Sequence, residues 1–359
     1  MMAEEAGGAL RVSLIATVCD EAATLREWLA SIEAQTRPPD EVVFVDGGSR
    51  DGTAAMLHAW GAEQPFRVRV HEAPGAGISR GRNLAIELAA GPIIAVTDAG
   101  TRLVPQWLAA LTAPFGGVDA PDAVAGVFRG EAEGAFQAAM SATVLPLPEE
   151  IVESRFLPSS RSVAFRKQAW AGVGGYPEWA TYCEDVLFDM ALKAAGYRTV
   201  LARDAMVHFA PRNSLPSFWR QYRNYAMGDG QTNLFLRRHL LRYGTYLGLL
   251  PALAVLTLRC SRWSLLALAF GAAVYLRRPY LRLARITRGW PLRDRAIAGS
   301  WVPVIRAWGD VAKMAGYPLG LSRGWRLRKV NALYKSGQMR RVQPDDVRVS
   351  QSPFSEDES

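Results

Sequence analysis

The stretch EVVFVDGGSRDGT, residues 41–53, decides how the chain is read. Val42 to Val45 are apolar at consecutive positions, the pattern of a strand buried on both faces, and Gly47 and Gly48 end it sharply. Asp46 then stands at the carboxyl end of the strand, where open α/β sheets bind ligands in a crevice. A carboxylate there can accept hydrogen bonds from a sugar hydroxyl or a base N–H. Gly48 would let the backbone approach a ligand closely. The same residues also suit a strand, a turn and a helix start with Ser49 or Asp51 as N-cap.

The flanks favour the ligand site. VSLIATV, 12–18, is β-rich, and the following ATLREWLASIEAQ carries Leu25, Trp28, Leu29 and Ile32 on one helical face. TAAMLHAW is the next helix and FRVRV, 66–70, the third strand. A Gly-rich turn leads into a helix from about Ser79 to Ala90. PIIAVTDAGT, 92–101, is a fourth buried strand ending in Asp98. Strand and helix alternate three times before that acidic tip, which predicts an α/β fold with a mostly parallel sheet. Neither a GxGxxG after the first strand nor a Walker A pattern is present. From 123 to 210 the alternation loosens. PLPEEIVESRFLPSS reads as a loop of the kind that covers an active site. A helix opens at Glu184–Asp185, where two acids also suit the helix dipole without any further role.

The 359 residues are 49% hydrophobic and 21% charged, an ordinary globular mix for one large or two ordinary domains. The net charge of +8 is unevenly spread. From Arg237 to Arg341 there are 21 Lys and Arg against only Asp294 and Asp310, while the rest carries a net −11. A basic rear half suggests an anionic surface as partner. Apolar runs between the charges favour membrane over nucleic acid. Cys19, Cys183 and Cys260 are widely spaced, with no disulfide framework and no metal-ligand spacing. The N-terminal MMAEEAGGALR has no apolar signal core, so the front of the chain is expected in the cytoplasm.

Several ordered motifs over roughly residues 11–230 resemble the family 2 glycosyltransferases, which have the GT-A fold. ATVCDEAATL resembles the opening strand motif, with Asp20 in the place of an Asn. FVDGGSRDGT resembles the nucleotide-binding turn, SRGRNLAI the Arg82–Asn83 helix start, and VTDAGT the metal-binding DxD motif. GGYPE followed by Glu184–Asp185 resembles the acceptor-side turn and acidic pair. The resemblance implies a nucleotide-sugar donor, most often UDP-linked, and inversion at the anomeric carbon. It implies donor contacts from Glu21, Asp46, Gly48, Arg82, Asn83 and Asp98. Asp185, with Glu184 beside it, becomes the general base toward an acceptor hydroxyl. A divalent cation, Mg²⁺ or Mn²⁺, would sit at Asp98. Gly100 replaces the motif's second acid, so Asp98 would hold the ion alone or with His208, unless His208 is only a structural strand-end residue. LPSFWRQYRNYAMGDG, 215–230, resembles the QxxRW-type segment loosely, and a basic helix facing diphosphate competes there with a solvated one.

In the rear half, 243–258 and 263–276 are uncharged, with Arg259 and Arg262 between them. As helices they span about 24 and 21 Å, short of the roughly 30 Å hydrocarbon core. A tight transmembrane hairpin, an interfacial pair and a buried helical core are the competing readings. WVPVIRAWGDVAKMAGYPLGL, 301–321, has the pattern of an amphipathic helix, either interfacial or packed on the catalytic domain. These readings give a catalytic domain over 10–235, a basic membrane-associated helical region over 236–330 and a flexible tail over 331–359. The expected enzyme is held at the cell membrane with its catalytic domain in the cytoplasm, acting on a lipid-linked or membrane-associated acceptor, with no nucleic-acid partner. Transfer to polyprenyl phosphate itself, or a catalytically weak membrane scaffold, are the alternatives.

Overall fold

The computed structural model describes residues 10–259 and 263–337. In chain order the elements are β1 (Val12–Val18), α1 (Ala22–Glu33), β2 (Glu41–Asp46), α2 (Thr53–Ala62), β3 (Arg67–Glu72) and α3 (Ile78–Leu88). Next come β4 (Ile93–Val96), β5 (Thr101–Leu103), α4 (Trp107–Thr112), β6 (Ala123–Gly130), α5 (Ala135–Val144), β7 (Val163–Arg166) and α6 (Lys167–Gly172). Then follow α7 (Glu184–Ala194), β8 (Thr199–Phe209), α8 (Leu215–Gln231), α9 (Leu236–Tyr243) and, after a π-helical turn, α10 (Leu250–Arg259). The chain continues through α11 (Ser264–Ile286) and α12 (Leu292–Gly324) to α13 (Arg328–Lys335).

The eight strands form one sheet in the order β3-β2-β1-β4-β7-β6-β8-β5. β1, β2, β3 and β4 pair in parallel, as the alternation predicted. The other half is mixed: β7 runs antiparallel to both β4 and β6, and β5 antiparallel to β8. The physical reason is the connection. β7 is reached through the long 145–162 loop rather than a crossover helix, so nothing forces it parallel. β5, read in sequence as the tail of one strand, is a separate edge strand after the Asp98–Gly100 turn.

The apolar run of β2 is explained by its two faces. Val42 and Phe44 enter one core with Leu25, Trp28 and Trp107, while Val43 and Val45 enter the other with Ile86, Phe165 and Phe188. A third cluster joins Ala138 and Met140 of α5 and Phe218 of α8 to Leu283, Ala298, Val302 and Ile305 of α11 and α12.

That third cluster ties the rear helices to the front of the chain. α12 lies along α8, and glycines set the distance between them. A Cβ on Gly316, Gly320 or Gly324 would overlap the backbone carbonyls of Arg223, Met227 or Gln231. Tyr334 of α13 is 2% exposed, sits in the core with Tyr176, and donates its hydroxyl to the Gly175 carbonyl. α12 and α13 therefore pack on the body expected to end at 235. The tail was expected from 331, but Asn331 and Tyr334 are buried helix residues. Residues from 338 onward, and Cys260 and Arg262, lie outside the described residues.

What remains uncovered is a hairpin. The run Leu236–Arg259 is long and apolar enough to cross a membrane, by length and composition, and none of its best window is buried. Leu247, Leu258, Leu266, Phe270 and Val274 are exposed along the two legs. The base of the hairpin is anchored by polar contacts: Arg242 Nε donates to Asp310 Oδ1 at 2.7 Å, and His239 Nε2 lies 3.0 Å from Asp229 Oδ2.

Candidate active site

The carboxyl ends of β1, β2 and β4 lie side by side and build one edge of the site. Asp46 closes β2 and is 1% exposed. Its Oδ1 accepts from the Gly48 and Ser49 N–H groups, both at 2.7 Å. Its Oδ2 is buried without a hydrogen-bond partner. One oxygen therefore builds the turn, and the other has no partner among the described residues. Gly48 has φ +106°, and a Cβ there would press on Pro74 Cα at 3.2 Å. Its conformation serves the turn first.

The end of β1 is laced to the same loop. The Asp20 N–H donates to Ser49 Oγ at 2.9 Å, and the Arg50 N–H donates to Asp20 Oδ1 at 2.7 Å. The Glu21 and Ala22 N–H groups donate to Thr53 Oγ1 and Asp51 Oδ2, each at 2.9 Å. Ser49, Asp51 and Thr53 thus satisfy the start of α1, which has no side-chain cap of its own. The Glu21 carboxylate is left facing the Asp98–Gly100 turn. A Cβ on Gly100 would lie 3.8 Å from Glu21 Oε2. Burial, and then the charge of Asp98, raise the pKa of Glu21.

Arg82 joins this edge to the far side. It is 4% exposed, with Nη2 on Asp98 Oδ1 at 2.8 Å and Nη1 on Glu184 Oε1 at 3.0 Å. Arg161 approaches Asp98 Oδ2 to 3.9 Å and lies over the Phe209 ring, 4.9 Å from its centroid. Asp185 follows Glu184 in the first turn of α7. It is half-buried and, among the described residues, has no basic group within ion-pair distance. Burial, then neighbouring Glu184, push its pKa up to about 6. A carboxylate so placed holds a proton more readily than an ordinary one.

With this geometry, two adjoining sequence families match the chain: glycosyl transferase family 2 over residues 13–171 and glycosyl transferase family group 2 over residues 152–282. The chain belongs to the family 2 glycosyltransferases. It is an enzyme that transfers a sugar from a nucleotide-sugar donor. Among its relatives, this family 2 glycosyltransferase is 26% identical to glycosyltransferase AglE of Haloferax volcanii, covering 63% of this chain and 74% of that protein. It is 27% identical to the succinoglycan biosynthesis protein ExoA of Rhizobium meliloti, covering 76% of this chain and 89% of that protein. The fold matches the mannosyltransferase PcManGT from Pyrobaculum calidifontis, solved with GDP-Man and Mn²⁺, with a TM-score of 0.62, 21% identity, and coverage of 86% of this chain and 87% of that one. It is the GT-A fold.

Against this frame the expected site residues separate. Glu21, Asp46, Gly48, Asp98, Glu184 and Asp185 line or build one site, with Arg82 inside it. Arg82 spends its guanidinium on two carboxylates, so it arranges the site from behind. Asn83, expected at the donor, is committed elsewhere. Its Nδ2 donates to the Tyr176 carbonyl and Glu178 Oε1, and its Oδ1 accepts from Tyr176 N–H and Trp170 Nε1, all at 2.8–3.0 Å. No hydrogen-bonding capacity is left over. Its task is to fix the GGYPE turn.

His208, expected as a metal ligand, lies on the β5–β8 edge of the sheet. It pairs across strands with Arg102, its Nδ1 lies 3.1 Å from Glu131 Oε1, and burial lowers its pKa. Glu131 raises that pKa, while Arg102 and Arg129 lower it further. Among the described residues, no group of three His, Cys, Asp or Glu could hold a metal. Arg161 was missed in sequence. It sits in an irregular segment with no motif around it, and only the fold brings it to Asp98.

Proposed function

We propose that the enzyme moves a sugar with inversion from a UDP-linked donor to a hydroxyl on a membrane-associated acceptor, with Asp185 as general base. The observation that carries this is the state of Asp185: half-buried, free of an ion pair, raised in pKa and next to the Arg82–Asp98 pair. Inversion by direct displacement needs one base within reach of the nucleophile and relief for the leaving diphosphate. Asp46 Oδ2 is the group to receive the N–H of the donor base, as uridine would offer.

A divalent cation fits here in a limited way. Asp98 Oδ2 lies 3.9 Å from Arg161 Nε, and the Glu21 carboxylate stands close to where the motif's missing second acid would begin. Two carboxylates with diphosphate oxygens and water are a sufficient shell for Mg²⁺ or Mn²⁺. Bound there, the ion would offset charge on the departing diphosphate. Arg161 supplies positive charge at the same place. Arg82 holds Asp98 and Glu184 at fixed separation.

The exposed hairpin, 236–286, supports placement at the cell membrane with the body on the cytoplasmic side. From the end of α9 to Arg259 the apolar leg is about 22 Å long, and from Ser264 to Leu276 about 20 Å. These uncharged stretches alone fall short of the hydrocarbon core, while Leu236–Arg259, counted with α9, is long enough to cross it. The decisive experiment measures turnover and donor affinity of Asp185→Asn. Turnover should fall about 10²–10⁴-fold with donor affinity kept within a few-fold. Unchanged turnover would move the base elsewhere and favour an anionic acceptor that needs none.

A further inference from the structure

Where the hairpin meets the body there is a cavity of about 480 Å³, remote in sequence from every donor motif. Arg277, Arg278 and Arg282 of α11 and Arg306 of α12 line it, with Tyr275 and the end of α5 at Thr143 and Val144. Arg282 is matched, its Nε donating to Glu150 Oε2 at 2.7 Å. Among the described residues, Arg277, Arg278 and Arg306 pair with no carboxylate. Arg306 lies over the Tyr275 ring, 4.7 Å from its centroid, and its Nε is buried without a hydrogen-bond partner. A guanidinium donor held dry and unpaired is costly unless an anion completes it.

A second, apolar groove of about 430 Å³ adjoins the first, lined by Ala273, Val274, Arg277, Tyr280 and Leu281. The two share Val274 and Arg277. They lie where α11 changes character. Before Arg277 the helix exposes Leu266, Phe270 and Val274; after it, Pro279 and Leu283 are buried against the body. That border is where a lipid headgroup would stand if the hairpin enters a bilayer.

We infer that this arginine cavity binds the diphosphate of a lipid-linked acceptor, with the lipid chain leaving along the apolar groove. The inference rests on the membrane-associated acceptor proposed above and gives it a phosphate subsite. Charge selects the occupant. A bulk phospholipid phosphodiester brings one negative charge to three uncompensated cations; a diphosphate joining lipid and sugar brings two and comes closer to balancing them.

The test uses the full chain and vesicle flotation. The vesicles are phosphatidylcholine alone, phosphatidylcholine doped with polyprenyl diphosphate, and phosphatidylcholine doped with phosphatidic acid to equal surface charge. The parent should bind diphosphate vesicles at least about tenfold more tightly than phosphatidic acid vesicles, the scale of losing one charged hydrogen bond. Arg306→Gln should erase that preference while leaving binding to plain phosphatidylcholine as it was. Arg278→Gln, an exposed position whose change spares the fold, should do the same in part. Equal binding to the two anionic vesicles would overturn the site and leave only surface charge. A preference that survives both substitutions would place the diphosphate elsewhere and overturn it too. No binding to any vesicle would instead sink the membrane reading on which it rests.

Discussion

Asp185 and Arg82 are neighbours in the site with opposite constraints. Burial raises the carboxyl pKa of Asp185 because the charged form loses water. A base must be ionised to work, so turnover should be flat at neutral pH and fall as pH drops through about 6. A pH–kcat profile that stays level down to about 4.3, the ordinary carboxyl range, would rule out this residue as the base. Arg82 instead stays charged between Asp98 and Glu184. Arg82→Ala would leave two partly buried carboxylates facing each other, and breaking such a buried pair costs about 3–5 kcal/mol. Chemical denaturation would read that loss. Asn83 separates a donor role from a structural one. Asn83→Ala should lower stability by about 1–3 kcal/mol through the groups it leaves unpaired, while donor affinity of the folded fraction stays put. Calorimetric titration showing lost donor affinity without lost stability would reverse that assignment.

At the scale of elements, the α8–α12 pairing depends on backbones touching. Gly316, Gly320 and Gly324 recur every four residues on α12, and each faces a carbonyl of α8. Gly320→Ala has no flexible side chain to push aside, only backbone, so the helices must separate. A loss of about 1–3 kcal/mol is expected, the range for overpacking. Gly271→Ala on exposed α11 is the control. Nothing lies within 4 Å of a Cβ there, and removing a helical glycine should be neutral or slightly stabilising. Urea midpoints for the pair would check both; a harmless Gly320→Ala would mean the two helices are not in contact as described.

For the whole molecule, the expected end of the catalytic domain at 235 invites a cut at Asn233, just before it. The structure makes that cut destructive. It removes α12 from α8 and takes Tyr334 out from beside Tyr176. A chain ending at Asn233 is therefore expected to aggregate or to show no cooperative melting, and a soluble, donor-binding fragment would disprove the shared core. The hairpin is the opposite case. Leu266→Asp with Phe270→Asp should leave the body's stability intact and release the protein from membranes in carbonate, where the parent resists, because apolar burial is not screened by salt.

The sequence alone determined the strand–helix alternation to Asp98, the acidic strand tips and the acidic pair at Glu184–Asp185. These are local patterns: apolar runs, punctuating glycines and helix-start chemistry within a few residues of each other. The family resemblance rests on them as well. Only tertiary structure decided which polar residues were already spoken for. Asn83 and His208 look like ligands in a string, but hydrogen-bond accounting gives the first to the 175–178 turn, and strand pairing sets the second beside Arg102 and Glu131. Arg161 has no signature because its partner is 63 positions away in the chain, Asp98. The glycines of α12 read as a weak helix until α8 is laid against them. Apolar periodicity says that a face is buried; it does not say against what, and so the end of the catalytic body could not be read at 235.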